Sequence, residues 1–363
     1  SPGEKGLLFM LNFSLTTEQE ELRQLARTLA REQLRPQGRS ADEQGFCSDA
    51  LWQTITQTGL TRPFAERYGG DGALDAVTLA IIAEEFGCGD AGLALHILGS
   101  LITPLTIALA GTEEQRQKYI SLFCRYEEAQ GALAFAEPFS AYRCEEITTP
   151  LHATVDGFSV RQGIKRNVLH GGSAALTVVL ARKAGDLCAF VLPETGWQSV
   201  PEEERVGLRA AQSATLRLEQ VQIPTHCMLD NTEQVTRAAL LYCLLRAGVA
   251  CGIVRATLDY AGQYAQERVA FGRPIVSYQG IAFLLAEMAM KLDAVRLLLW
   301  HAASRWEQEA VTAELGGEIE AVQRQALTLA QKATADGVQI LGGAGYIQDH
   351  PVELWMRHAI AME

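Results

Sequence analysis

Glu267-Arg268-Val269-Ala270-Phe271-Gly272-Arg273-Pro274-Ile275, with Gln279 four residues on, stands between two long helical runs. Residues 235–268 form one apolar-rich run, and residues 279–308 form a second. Residues 317–341 form a third, ended by Gly342-Gly343. Within the first run, Gly248 and Gly252 leave room for a neighbouring helix to approach closely. An Arg at a helix end ordinarily reads as a solvated charge or a cap partner, and a Gly pair after a helix as its C-cap. Taken alone, this part of the chain predicts a bundle of long helices.

The N-terminal third has the same texture. Thr17 with Glu20 predicts a capping box, followed by Leu22, Leu25, Ala26 and Leu29 at helical spacing. Pro36 is expected to stop that helix. Residues 49–58 predict a second helix ended by Gly59, and 67–72 a glycine loop. Residues 74–86 predict another helix, and 93–110 an apolar run broken at Gly99 and Pro104. Thr112 with Gln115 marks the next helix start. From residue 131 to 224 the pattern changes to short apolar runs between turn residues. Residues 153–160 read as strand, Asp156-Gly157 turn, strand; 175–181, 188–192 and 215–223 are further strands, the last ended by Pro224.

The order is therefore helices, strands, helices. Nothing alternates strand with helix, no G-x-G-x-x-G follows a strand and no phosphate-binding P-loop motif occurs, so a parallel dinucleotide-binding sheet is not expected. We expect an α+β multidomain fold: an N-terminal α-helical domain (11–128), a middle β-barrel domain (129–230) and a C-terminal four-helix-bundle domain (231–363).

Composition narrows the partners. The chain has 363 residues, a net charge of −12 and 48% hydrophobic residues. A diffusely acidic chain repels nucleic-acid backbones and anionic lipid, so neither is expected as a partner. No run of 18 apolar residues is present, and no membrane span is expected. The eight cysteines form no CxxC and no Cys/His cluster, so no metal is expected; free thiols suit a cytoplasmic setting. Residues 1–10 read as an expression leader.

Three segments together carry a signature. They are the 267–275 stretch with Gln279; Gln339-Ile340-Leu341-Gly342-Gly343-Ala344-Gly345-Tyr346 with Pro351-Val352-Glu353 and Arg357; and Gly207-Leu208-Arg209 with the strand end Val221-Gln222-Ile223-Pro224. Thr16 to Glu20 and Tyr68-Gly69-Gly70 follow the same order. In residue type and spacing this resembles the FAD-dependent acyl-CoA dehydrogenase family, from about Phe13 to the last residue.

The resemblance implies an oxidoreductase of fatty acid metabolism. Such enzymes carry out α,β-dehydrogenation of an acyl-CoA or carrier-bound acyl thioester, with hydride transfer to FAD and an electron-transfer flavoprotein or similar acceptor. It also implies FAD at a subunit interface in a homotetramer or dimer. By the same resemblance Arg268 pairs with the FAD pyrophosphate, Phe271 packs on the cofactor, and Gln279 and Gln339 bond its polar edges from an adjacent subunit. Gly342 and Gly343 let backbone N–H groups approach the adenosine diphosphate end. Arg357 matches a family position but reads as structural.

The reaction half departs from the family. The usual Glu base is expected just past Met356-Arg357-His358-Ala359, three residues beyond Glu363, and Glu363 does not align with it. The position that carries the base in some relatives is Tyr242, whose phenol (pKa near ~10) is a poor base at neutral pH. Ala136 stands for a Thr that contacts the flavin, Leu169 for a Thr at its edge, and Ala141-Tyr142-Arg143 for a small loop lining the thioester channel. The catalytic residue is therefore left unassigned. Three alternatives stay open: a dehydrogenase with altered substrate, a non-catalytic or half-site FAD-binding subunit of a heteromer, and a flavin oxidase or monooxygenase on the same scaffold.

Overall fold

The computed structural model describes residues 14–126, 128–140, 142–202 and 205–362. The leader expected at residues 1–10 and the positions of Ala141 and Glu363 lie outside them.

Six helices come first: α1 (Thr17–Leu29), α2 (Arg35–Gln44), α3 (Asp49–Thr56), α4 (Ala76–Gly89), α5 (Ala91–Ala110) and α6 (Glu113–Arg125). The first capping box sits one residue earlier than expected. Thr16 accepts from Gln19 N, and the Gln19 amide closes the box, because Gln serves at this position as well as Glu. Pro36 does not stop the chain. A π-helical turn over Ala30–Leu34 widens the helix, with Arg35 N bonding Ala30 O, and Pro36 then falls in the first turn of α2, where its missing N–H costs nothing.

α5 is likewise unbroken through Gly99 and Pro104. Both residues serve close packing instead. A Cβ on Gly99 would lie 2.7 Å from Leu169, and Pro104 removes the N–H that would have bonded Ser100 O, against which Gly131 is packed. The box at Thr112 and Gln115 forms as expected.

The middle region holds β1 (Gly131–Ala134), β2 (His152–Thr154), β3 (Gly157–Leu169), β4 (Leu176–Lys183), β5 (Asp186–Val191), β6 (Trp197–Pro201), β7 (Ser213–Pro224) and β8 (Met228–Leu229). They make two four-stranded sheets, ordered β1-β4-β5-β8 and β2-β3-β7-β6. The β2–β3 turn is Val155-Asp156, one residue before the expected pair. Gly157 is already in the ladder opposite Thr154, where a Cβ would meet Ile223 O at 2.3 Å. A bulge between Lys165 and Val168 bends β3 and lets Arg166 N bond Ala136 O, tying one sheet to the other.

The chain ends in α7 (Thr232–Glu267), a two-stranded hairpin β9 (Val269–Ala270) and β10 (Arg273–Pro274), α8 (Gln279–Gln308), α9 (Ala313–Leu341) and α10 (Val352–Ala361). The expected order of helices, sheets and helices is the observed one.

α7 is the shared core helix. Cβ atoms on Gly252 and Gly248 would meet Glu84 O at 2.3 Å and Ala80 O at 2.8 Å, so the two glycines let α4 seat backbone to backbone. Over that contact lies a buried ionic cluster. Glu85 takes both Arg27 and Arg255, and Glu84 takes Arg255 and Arg296, joining α1, α4, α7 and α8. Burial works to raise the Glu85 carboxyl, but the two guanidinium groups outweigh it and hold it below the ordinary carboxylate range. By length and composition alone, α5 and α7 are each long and apolar enough to cross a membrane. Of their apolar windows 89% and 94% are buried inside the protein, so their hydrophobicity is spent on the core.

Candidate cofactor and acyl site

The expected cofactor residues come from two turns at one end of the C-terminal bundle. Arg268 caps α7, its N–H bonding Tyr264 O at 2.8 Å, and its carbonyl accepts from Ile275 N. Its side chain is exposed, with no ion-pair partner among the described residues. Between β9 and β10, Phe271 (φ 49°) and Gly272 (φ 83°) both adopt left-handed backbone, as a two-residue type I′ hairpin turn requires. A bulky residue there costs roughly 1–2 kcal/mol, and the ring it carries is 98% exposed. Such an outlier is a pointer to function. Tyr278 braces the hairpin from beneath, its hydroxyl donating to Ala270 O and its ring under Arg273, and Gln279 opens α8 directly after it.

The second turn follows α9. Gln339 is exposed in its last turn, and Gly342 (φ 59°, ψ −132°) takes a conformation open only to glycine. A Cβ on Gly342 would meet nothing within 4 Å, and one on Gly343 would meet the Tyr346 hydroxyl at 3.8 Å, an ordinary contact, so this exposed backbone is free to be approached closely. His350, four residues past Tyr346, bonds the Tyr260 hydroxyl at 2.7 Å and packs on the Tyr264 ring, fixing this turn beside the last turns of α7. Arg268, Phe271, Gln279, Gln339, Gly342 and Gly343 thus present a cation, an aromatic face, two amides and bare backbone outward. These suit a nucleoside diphosphate.

The other half has different geometry. Ala136, Leu169, Tyr142 and Tyr242 are only 2–5% exposed. Tyr142, in left-handed backbone (φ 49°), fills the space. Its ring meets Phe135 and Tyr242 edge-on at 5.6 and 5.9 Å, and its hydroxyl donates to Asn167 O. The Arg246 guanidinium lies 3.7 Å from the Tyr142 centroid and donates to Met362 O, while its Nε finds no partner among the described residues. Leu169 packs onto Gly99. The next residue, His170, is held neutral by burial, at about 4, its Nε2 against His96 O.

Among the described residues here, no base stands ready. Burial pushes the Tyr242 phenol above its ordinary range, and Arg246 only partly opposes it. Glu137 is fully engaged: Lys165 donates at 2.7 Å, and the N–H and hydroxyl groups of Thr148 and Thr149 take the remaining lone pairs. Burial works to raise Glu137, but Lys165 and the threonines bring it down to about 2. This pair is structural, joining the end of β1 to β3. Arg357 is structural too, bonded to Glu353, Asp42 and Val206 O.

Sequence reading missed Tyr142, Arg246 and the Glu137–Lys165 pair as a group. An arginine within the apolar run 238–254 was the available signal, since a charge there must face something specific. A dinucleotide therefore fits one end of the site: the outward set can take its diphosphate. At the other end, Ala136 and Leu169 offer no polar contact to a flavin ring.

This is the three-part fold of a flavoprotein, with a cation, an aromatic ring, two amides and bare backbone turned outward at one end. Two sequence signatures match: "Acyl-CoA dehydrogenase, N-terminal domain" over residues 16–127 and "Acyl-CoA dehydrogenase, C-terminal domain" over 242–363. An acyl-CoA dehydrogenase of Bacillus subtilis (strain 168) is 31% identical over 95% of this chain and 93% of its own length. The chain belongs to the acyl-CoA dehydrogenase family. Among solved structures, butyryl-CoA dehydrogenase from Megasphaera elsdenii superposes with a TM-score of 0.84 at 28% identity, covering 97% of this chain and 95% of that one. A chain from the electron transferring flavoprotein structure of Acidaminococcus fermentans superposes with a TM-score of 0.85 at 28% identity, covering 97% and 94%.

Proposed function

We propose that this chain serves the α,β-dehydrogenation of an acyl thioester with FAD as hydride acceptor. The observation that carries this reading is the intact outward set from Arg268 to Gly343 on a chain that belongs to the family along its length. FAD supplies the redox chemistry when bound. This chain's residues grip it: Arg268 neutralises the diphosphate, Gly342 and Gly343 offer N–H groups, and Phe271 covers an apolar face.

Assembly of two or four copies is part of the proposal. Phe283, Met290 and Leu297 are exposed at seven-residue spacing along α8, a stripe suited to a partner helix. An electron-transfer flavoprotein is the proposed acceptor, supported by the likeness to the Acidaminococcus chain. Eight unpaired cysteines support a cytoplasmic setting. The test is anaerobic addition of short acyl-CoA thioesters and their carrier-bound forms to the FAD-reconstituted protein. Bleaching near 450 nm is expected, and a flavin that no acyl thioester reduces counts against the reading.

The burial of Ala136, Leu169, Tyr142 and Tyr242 favours a second reading, in which this is the non-catalytic subunit of a heteromer. It then anchors a flavin whose ring lies in an active homologue. Isolation from the native host with a second family member at equal stoichiometry supports this, and turnover by a pure homo-oligomer removes it.

A further inference from the structure

We propose that Arg246 binds a carboxylate carried by the acyl group, so that the substrate is an acyl thioester with a second, free acid. This rests on the dehydrogenation reading above and narrows its substrate class. Lys165 and Arg246 are the two buried Lys or Arg side chains among the described residues. Lys165 has its carboxylate, Glu137, at 2.7 Å. Arg246 has none there. It donates to Met362 O, hydrogen-bonds the Tyr242 hydroxyl and lies 3.7 Å from the Tyr142 ring centroid, all neutral groups. Its buried Nε–H meets no acceptor among the described residues. A guanidinium does not shed its proton in a protein, so the charge stays. A buried charge without a counter-charge is costly, and ring faces and a carbonyl offset only part of that. Nε–H and a neighbouring Nη–H form a fork that matches the two oxygens of a carboxylate, whereas an uncharged polar end would leave the charge unbalanced.

Two features give that anion to the acyl group. Arg246 is one helical turn past Tyr242, the position of the base in some relatives, and is in contact with it, so both belong to the reaction half. A groove of about 540 Å³, lined in part by Thr236, Leu240 and Cys144, runs along the start of α7. Cys243, one turn past Leu240, bonds Tyr142 O through Sγ at 3.4 Å, and Arg246 follows three residues on. The groove's Glu145 and Glu320 are both paired with Arg143. An acyl chain laid along α7 from this groove leads toward the guanidinium.

The test uses a length series of coenzyme A thioethers in matched pairs, with and without a terminal carboxylate; lacking the thioester carbonyl, they cannot be dehydrogenated. Calorimetry on the full chain loaded with FAD should show the carboxylate member of the best-fitting pair binding roughly tenfold tighter or more at pH 7. Equal affinity within every pair, or preference for the plain chain, overturns the proposal. Arg246→Met should erase the preference and leave the melting temperature of the ligand-free protein close to wild type's, since the charge removed has no counter-ion. A lowered melting temperature with the preference intact would make Arg246 structural and overturn the proposal. The wild-type comparison decides by itself if R246M folds poorly. Glu363→Gln tests the rival counter-ion in the chain itself: a carboxylate preference that appears only in this variant overturns the proposal. Anaerobic flavin reduction by the matching thioesters is read separately. Carboxylate-selective binding with no flavin reduction by any thioester keeps the assignment of Arg246 and sinks the dehydrogenation reading; reduction by plain acyl thioesters alone does the reverse.

Discussion

Replacing Lys165 by methionine removes the cation from a fully buried pair while keeping the length of the side chain. Glu137 is then left buried with only the threonine N–H and hydroxyl groups of residues 148 and 149. Breaking one side of a buried pair costs about 3–5 kcal/mol. The four remaining hydrogen bonds place this case at the lower end, about 3 kcal/mol. The carboxyl tells the same story: its fall from 4.5 to about 2 corresponds to about 3 kcal/mol, shared between Lys165 and the threonines. A depressed carboxyl contributes its stability above its unfolded value and loses it as pH falls toward the folded one. The gap between wild type and K165M should therefore be about 3 kcal/mol at pH 7 and shrink to roughly 1 kcal/mol as pH drops through the window from 4.5 to 2. Urea unfolding followed by circular dichroism and tryptophan fluorescence measures it. The double variant E137Q/K165M should regain about half of the loss. A gap under about 1 kcal/mol at pH 7, or one that ignores pH, refutes the reasoning.

Gly252→Ala should cost about 2–3 kcal/mol, because the added Cβ must push the α4 backbone at Glu84 away from α7; a melting temperature equal to wild type's would contradict that packing. Glu85→Gln should cost about 3 kcal/mol at pH 7 and progressively less below the ordinary carboxylate range, as read by unfolding at several pH values. Arg268→Ala should lower ADP and FAD affinity roughly 10- to 100-fold and leave the melting temperature unchanged, since the side chain is exposed; calorimetry and a thermal scan separate the two effects. Tyr242→Phe should leave any acyl-dependent flavin reduction unaltered in rate and pH profile, and a lost acid limb would mark the phenol as catalytic.

The long helices were legible because helical spacing and end signals agree. Residues 279–308, taken as one run, are the observed α8, and Gly342 ends α9 as anticipated. The failures lie where local chemistry and tertiary context compete. Pro36 and Pro104 read as breaks, but a π-turn absorbs one and packing of Gly131 occupies the carbonyl freed by the other. The strand turn slipped by one residue because Gly157 is needed in the ladder against Ile223 O, a contact distant in sequence. At the site, Arg268, Phe271 and the paired glycines were recognisable as a set through spacing along one chain segment each. Tyr142, Arg246 and Tyr242 were not, since their meeting depends on the loop after β1 folding back onto α7. Substitutions such as Ala136 and Leu169 told of lost polar contacts, while the filling of that volume is a matter of packing that no local pattern encodes.

Co-crystallisation of the full chain with FAD is the most direct trial of the account. Adenosine and diphosphate density against Arg268 and the Gly342-Gly343 backbone is the outcome it predicts. FAD density that leaves Arg268 and the Gly342-Gly343 backbone untouched would contradict it.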